Sequence, residues 1–210
     1  MTAMVTMPPA TTERCRQLLQ RWRQDLRLTR REQGLLRGEL TLLDRQLQRL
    51  EHNVLRLAVF GRVGVGKSSL INALVGQRLL ETDVAHGSTR RQQAVTWPLK
   101  LDGLQKVELI DTPGIDEIDA AGRTRLATRV AMGVDLVLLV IDSDLTRCDR
   151  DALETLQASG KPVRLVLNRS DRWPEEQLPE LLASIRSRLP SDLPLTAVAA
   201  APRRPMLDAD

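Results

Sequence analysis

VLRLAVFGRVGVGKSSLINALV, residues 54–75, is the stretch whose reading decides the fold. Val54 to Phe60 is a short apolar run of β type, glycines at 61, 64 and 66 interrupt it, and Lys67 to Val75 suits a helix. Strand, glycine-rich turn and helix in direct succession form the opening unit of an α/β domain. Downstream, Ala94 to Trp97, Val107 to Ile110, Leu136 to Ile141, Val163 to Leu167 and Leu195 to Ala199 read as further strands. Helical stretches at Ile118 to Met132, Arg150 to Ser159 and Glu175 to Leu189 lie between most of them. That alternation predicts a mostly parallel sheet covered on both faces, a three-layer α/β fold. A chain of 210 residues has room for one such domain and an appendage.

Upstream the pattern changes. Residues 1–12 carry Pro8, Pro9 and four threonines without apolar periodicity and are expected to be a disordered lead-in. From residue 13 to 53 there is no proline, and positions 19, 22, 26, 29, 33, 36, 40, 43, 47 and 50 advance by alternating threes and fours. Only Thr29 and Gln33 break that Leu/Trp seam, near Gly34 and Gly38, which predicts a long amphipathic helix, a coiled-coil candidate, weakened in its middle. Residues 54–201 form the main domain, and 202–210 a short tail.

Composition limits the function classes. Hydrophobic residues at 42% against 28% charged indicate a globular chain, and only 2% aromatic residues leave an aliphatic core. Cys15 and Cys148 are isolated, so neither a disulfide framework nor a zinc site is indicated. The longest apolar run, Leu136 to Ile141, is too short to cross a bilayer, and the expected location is cytoplasmic. Residues 13–51 hold ten Arg against six acids, a surplus of four that equals the formal net charge of the whole chain, +4. The remainder balances to zero, so no basic groove, and no specific nucleic-acid partner, is predicted for the main domain.

Three loops carry chemistry. Gly61-Arg62-Val63-Gly64-Val65-Gly66-Lys67-Ser68 satisfies GxxxxGK[ST] between a strand and a helix. Glycines let the backbone N–H groups curl round phosphate oxygens, Lys67 reaches the β- and γ-phosphates, and the Ser68 hydroxyl suits Mg²⁺. Ser69, next to them, joins the nucleotide-binding set. Asp111-Thr112-Pro113-Gly114 ends the Val107 strand, where Asp111 would hold Mg²⁺ through water and the Gly114 N–H would meet a γ-phosphate. Asn168-Arg169-Ser170-Asp171 ends the Val163 strand. Guanine offers adjacent N1–H and N2 donors that one carboxylate accepts together, whereas adenine presents an acceptor that Asp171 repels, so GTP is favoured over ATP. Asn168 would bridge this loop to the phosphate loop, and the stem of Arg169 would lie on the purine face.

In this order, with a Thr at position 89, these motifs resemble the translation-factor-like P-loop GTPases, nearest the Era-like branch. The resemblance covers residues 54 to about 201. It implies GTP and GDP with Mg²⁺ as cofactors and GTP hydrolysis as the activity, with Lys67, Thr89 and Gly114 as catalytic groups and Ser68, Thr89 and Asp111 as Mg²⁺ ligands. Ala85 to Arg90 is similar to the first switch segment of that branch. Leu195 to Ala200 is similar to its last strand, where Ala199 takes the place of a serine and the Ala200 N–H would meet guanine O6. Arg169 stands for the usual Lys, and Gly64 stands where potassium-stimulated relatives carry Asn. Ile115 occupies the position of the water-orienting Gln of Ras-like proteins, implying slow turnover without an activating protein.

The resemblance also implies a helix after the last strand, which this sequence lacks. Either the N-terminal helix covers that face, or a second chain does, or the chain is the front part of a longer architecture, as in related bacterial GTPases that continue into a membrane-associated domain. Self-association and peripheral membrane contact through residues 13–53 are both open readings, beside an unknown effector. His86, Arg90 and Arg91 read first as solvated loop residues, Asp116, Glu117 and Asp119 as helix-start acids, Trp97 and Trp173 as packing residues, and His52 as a helix end.

Overall fold

The computed structural model describes residues 9–81, 92–116 and 118–202. The chain divides into two units, Met1–Leu55 with Leu99–Val107, and Arg56–Pro98 with Glu108–Asp210.

The first unit is helical. The expected N-terminal helical segment is present in three pieces, α1 (Pro9–Asp25), α2 (Arg30–Leu35) and α3 (Arg37–Glu51). Helix α1 starts inside the stretch expected to be disordered, because Pro is compatible with a first helical turn whose N–H groups lack partners anyway. The weakness in the middle is a full break. Thr29 stands in extended conformation and forms a capping box with Glu32, its N–H donating to Glu32 Oε2 at 2.8 Å. That local alternative satisfies the N-terminal donors of a new helix and outweighs continuation of the old one. A second, smaller interruption falls at Leu36, between Gly34 and Gly38. Helix α1 packs against α3, joined by a two-pronged ion pair from Arg23 to Asp44 at 2.8 and 3.1 Å. Of the leucine seam, Leu47 is buried, whereas Leu19 and Trp22 on α1 and Leu36 beyond it are exposed, as are Leu18 and Leu35 beside the seam. His52 caps the end of α3, its ring Nδ1 2.7 Å from Gln48 O.

The second unit carries the sheet, in the order β2-β3-β1-β4-β5-β6. Its strands are β1 (Val54–Gly61), β2 (Gln93–Trp97), β3 (Lys106–Asp111), β4 (Leu136–Ile141), β5 (Val163–Leu167) and β6 (Leu195–Ala197). β1 runs parallel to β4 with Leu57 opposite Leu136, β4 parallel to β5 with Val137 opposite Val163, and β5 parallel to β6 with Leu165 opposite Leu195. Covering helices are α4 (Lys67–Val75), α5 (Ala120–Gly133), α6 (Arg147–Ala158) and α7 (Gln177–Arg186). Strands buried on both faces need apolar side chains in both directions, and LVLLVI of β4 supplies them. Phe60, Ile110, Leu139, Ile141, Leu165 and Ile185 are fully buried in the resulting core. Asp119 caps α5 by accepting from the Gly122 N–H at 2.8 Å, and Trp173 packs against the core, both in keeping with their structural readings. Among the described residues no helix follows β6. Among the described residues no helix is long and apolar enough to cross a membrane.

Candidate functional site

The loops leaving the carboxyl ends of β1, β3, β4, β5 and β6 converge, as parallel order requires of an open α/β sheet. The first loop depends on glycine. Gly61, Gly64 and Gly66 have φ of 149°, 77° and 88°, a region that side chains disfavour. A Cβ on Gly61 would meet Val140 O of the neighbouring strand, and one on Gly66 would strike Nδ2 of Asn168. A Cβ on Gly64 would meet no described residue within 4 Å. Val65 is buried beneath it, and Arg62, Val63, Ser68 and Ser69 are half-buried. Lys67 is buried, and its Nζ donates to Gly61 O at 3.1 Å and Arg62 O at 2.8 Å, which folds the ammonium back along the loop.

Asp111, buried at the end of β3, accepts a hydrogen bond from Ser68 Oγ at 2.7 Å on Oδ2. A hydroxyl and a carboxylate at this distance form a hard-oxygen pair. It fits Mg²⁺, which takes few protein ligands and leaves its other positions to water and phosphate. Thr112, fully buried, fastens this loop to β1 by donating to Val59 O at 2.8 Å. Gly114 lies so close to the phosphate loop that a Cβ there would overlap the Val63 side chain. Ile115 is fully buried, and the next residue, Asp116, accepts from the Val63 N–H at 2.6 Å on Oδ1. Asp116 was expected to favour a helix start; it ties the second loop to the first instead, because the turn after Gly114 carries it back to Val63.

The third loop is joined to both the first and the last. Asn168, 1% exposed, donates from Nδ2 to Val65 O at 2.9 Å and to Gly66 O at 3.3 Å, and its Oδ1 accepts from the Ala200 N–H at 3.1 Å. The bridge to the phosphate loop is as expected. The Ala200 N–H, expected at guanine O6, serves Asn168 in this structure, because the end of β6 lies against β5 (Val198 N–H to Leu167 O, 2.8 Å). Arg169 adopts a left-handed backbone, φ 59° and ψ 36°, at a cost of about 1–2 kcal/mol for a residue with a side chain. Asp171 is exposed in the 3-10 turn Ser170–Arg172, and Ala199 is half-buried.

Charged groups not foreseen from the sequence complete the arrangement. Asp142, the residue after β4, accepts from Arg62 Nη2 at 3.3 Å and from Arg169 Nη1 at 2.9 Å. Arg62 Nε donates to Asp149 Oδ1 at 3.2 Å. Asp149 is fully buried, and its other oxygen accepts from Thr146 N and Oγ1, closing the capping box that starts α6. The signal that could have found Asp142 is its place, an acid directly at the carboxyl end of a wholly apolar strand. Ser88, Thr89, His86, Arg90, Arg91 and Glu117 lie outside the described residues.

The sequence profile of the family described as 50S ribosome-binding GTPase matches residues 56–169, more than half of the chain. GTPase Der of Rhizobium johnstonii is 43% identical over 121 residues, 55% of this chain and 25% of that protein. GTPase Era of Synechocystis is 38% identical over 135 residues, 61% of this chain and 41% of that protein. The chain therefore spans between a quarter and two-fifths of the length of these curated relatives. Among solved structures, Era in complex with MgGDPNP and nucleotides 1506–1542 of 16S ribosomal RNA shares the fold, with a TM-score of 0.60 at 24% identity over 70% of this chain and 51% of that one. Toc33 from Arabidopsis thaliana in complex with GDP and Mg²⁺ gives a TM-score of 0.54 at 20% identity, covering 81% of this chain and 83% of that one. Because the profile runs from the first buried strand through the Asn168 loop that locks the phosphate loop in place, the chain belongs to the 50S ribosome-binding GTPase family.

Proposed function

We propose that the chain binds GTP and GDP with Mg²⁺ and hydrolyses GTP to GDP and phosphate slowly, as a conformational switch. The observation that carries this reading is Asn168, whose one side chain joins a loop shaped for phosphate to a loop bearing the guanine-selective Asp171. In this reading the N–H groups from Gly61 to Ser69 line the phosphates, and Lys67 leaves its carbonyl partners to neutralise the β- and γ-oxygens. Asp171 accepts from the guanine N1–H and N2 amine, Arg169 covers the purine face, and Ala199 and Ala200 border its edge. Ser68 and Asp111, with Thr89, would hold the magnesium ion, which when bound offsets charge on the transferring phosphoryl group. The Gly114 N–H donates to the γ-phosphate and so carries its presence into the second loop.

One observation favours the alternative, a GTP-dependent binding module or membrane-associated scaffold with negligible turnover. Ile115 stands where a water-orienting side chain is needed, and it is fully buried. Residues 13–53 are then the partner surface, through self-association or peripheral membrane contact, since Leu18, Leu19 and Trp22 are exposed there beside Arg14 and Arg21. The test is calorimetric titration with GTP, GDP and ATP, followed by single-turnover phosphate release. Binding of both guanine nucleotides with ATP at least about 100-fold weaker supports the site. Equal affinity for ATP overturns the base assignment, and a saturated complex that releases no phosphate overturns the enzyme in favour of the binding module.

A further inference from the structure

Asp142 divides its carboxylate between two arginines from different loops. Oδ1 takes Arg62 of the phosphate loop and Oδ2 takes Arg169 of the base loop, and the three side chains are only 20%, 19% and 20% exposed. Charge-assisted bonds in such partly desolvated surroundings fix geometry far better than pairs on the open surface. Both arms are anchored beyond Asp142. Arg62 also holds Asp149, which is fully buried in the cap of α6. Asn168, the neighbour of Arg169, is bonded to Val65 and Gly66. The Nε of Arg169 stands 3.8 Å from the point where a Cβ of residue 66 would lie, so this side chain runs along the phosphate loop and not out into solvent.

We propose that Asp142 is a positioning residue for guanine nucleotide: it holds Arg169 in the rotamer whose aliphatic stem covers the purine face, and it locks the base loop to Arg62. This rests on the nucleotide reading given above. Arginine at position 169 suits the role because its planar fork can reach Asp142 while the stem stays beside Gly66. With the carboxylate removed, two guanidinium groups face one another at the end of β4 without an anion between them, and Arg169 turns toward water.

The experiment is the dissociation of a fluorescent GDP from the full chain and from Asp142→Asn, Asp142→Glu, Arg169→Ala and the double variant Asp142→Asn/Arg169→Ala. Asp142→Asn is expected to release GDP about tenfold faster, Asp142→Glu to restore at least half of the loss on a logarithmic scale, and the double variant to be no worse than Arg169→Ala alone. That non-additivity and rescue are what a merely structural carboxylate would not produce. GDP release at the wild-type rate from Asp142→Asn overturns the proposal, as do losses that multiply in the double variant. Should Asp142→Asn not fold, Arg169→Ala with Asp142 intact decides: about tenfold faster release supports the proposal and wild-type release overturns it. A wild-type chain that binds neither GDP nor GTP overturns the nucleotide reading itself.

Discussion

Nδ2 of Asn168 lies 2.9 Å from the carbonyl oxygen of Val65, a hydrogen bond between residues 103 apart in sequence that fastens the base loop to the phosphate loop. Replacing Asn168 by Ala leaves the carbonyls of Val65 and Gly66 and the Ala200 N–H without this partner at a site that is almost wholly buried. The expected loss of stability is about 2–3 kcal/mol. Urea unfolding of the ligand-free chain measures it, and a variant within about 0.5 kcal/mol of wild type would show that Asn168 does not hold the loops together.

Gly66→Ala should disable the site by geometry alone. A Cβ at φ 88° is strained, and it would also strike the Asn168 amide. The two effects together are expected to cost roughly 2–4 kcal/mol and to weaken GDP binding about 100-fold or more. Gly64→Ala has the strain, φ 77°, but its methyl meets no described residue, so its cost should be about 1–2 kcal/mol. Thermal melts of the pair with and without GDP test the ranking, and equal losses would refute the role given to the Asn168 contact.

Asp171→Asn should lower GTP affinity about 100-fold and raise affinity for xanthosine triphosphate, because xanthine replaces the guanine N2 amine by a carbonyl to which a side-chain amide can donate. Competition of the two nucleotides against fluorescent GDP measures the exchange. An Asp171→Asn variant with unchanged GTP affinity removes this residue from the base pocket.

Outside the site, the Arg188 guanidinium hydrogen-bonded to Asp144 holds that carboxyl below its ordinary range, aided by the Leu145 N–H and the Ser184 hydroxyl and opposed by burial. A depressed folded value gives stabilisation that is fully present above the unfolded value, about 3.9, and lost as pH falls through the folded one. With Asp144 44% exposed, solvent screening limits this to about 0.5–1 kcal/mol. Asp144→Asn should therefore lower the urea midpoint at pH 7, with the difference narrowing at lower pH as the wild-type carboxyl takes up its proton. A difference that persists undiminished at lower pH would point to packing of α7 instead.

Much of the sheet was legible because burial on two faces leaves a plain mark. Leu136–Ile141 is an uninterrupted apolar run closed by Asp142, Val163–Leu167 is apolar but for the exposed Arg164 and is closed by Asn168, and both strands have those bounds. The helix Lys67–Val75 was equally plain between Gly66 and Gly76. The N-terminal seam was harder, because its leucine periodicity runs across a break that Thr29 and Glu32 create, and a capping box four residues long is overlooked inside a pattern of forty. In the site, the three motif loops follow from their own residues. Asp116, Asp142 and Asp149 do not, since their partners Val63, Arg62 and Arg169 are supplied by strand order and not by neighbouring sequence.

The burial of Ile115 sets a threshold for movement of the loop that follows β3. Gly114 rests on Val63 and Ile115 is sealed in the core, so a displacement that begins before residue 115 must bring an isoleucine side chain into water at about 2–3 kcal/mol. At that cost a rearranged state would make up only about 0.6–3% of the ligand-free population. A ligand reversing that balance must favour the rearranged state by more than the same amount, whereas a rearrangement that begins at Asp116 leaves Ile115 buried and breaks the Val63 hydrogen bond. Ile115 thus divides the segment into a part that answers only to strongly discriminating ligands and a part that answers to weak ones.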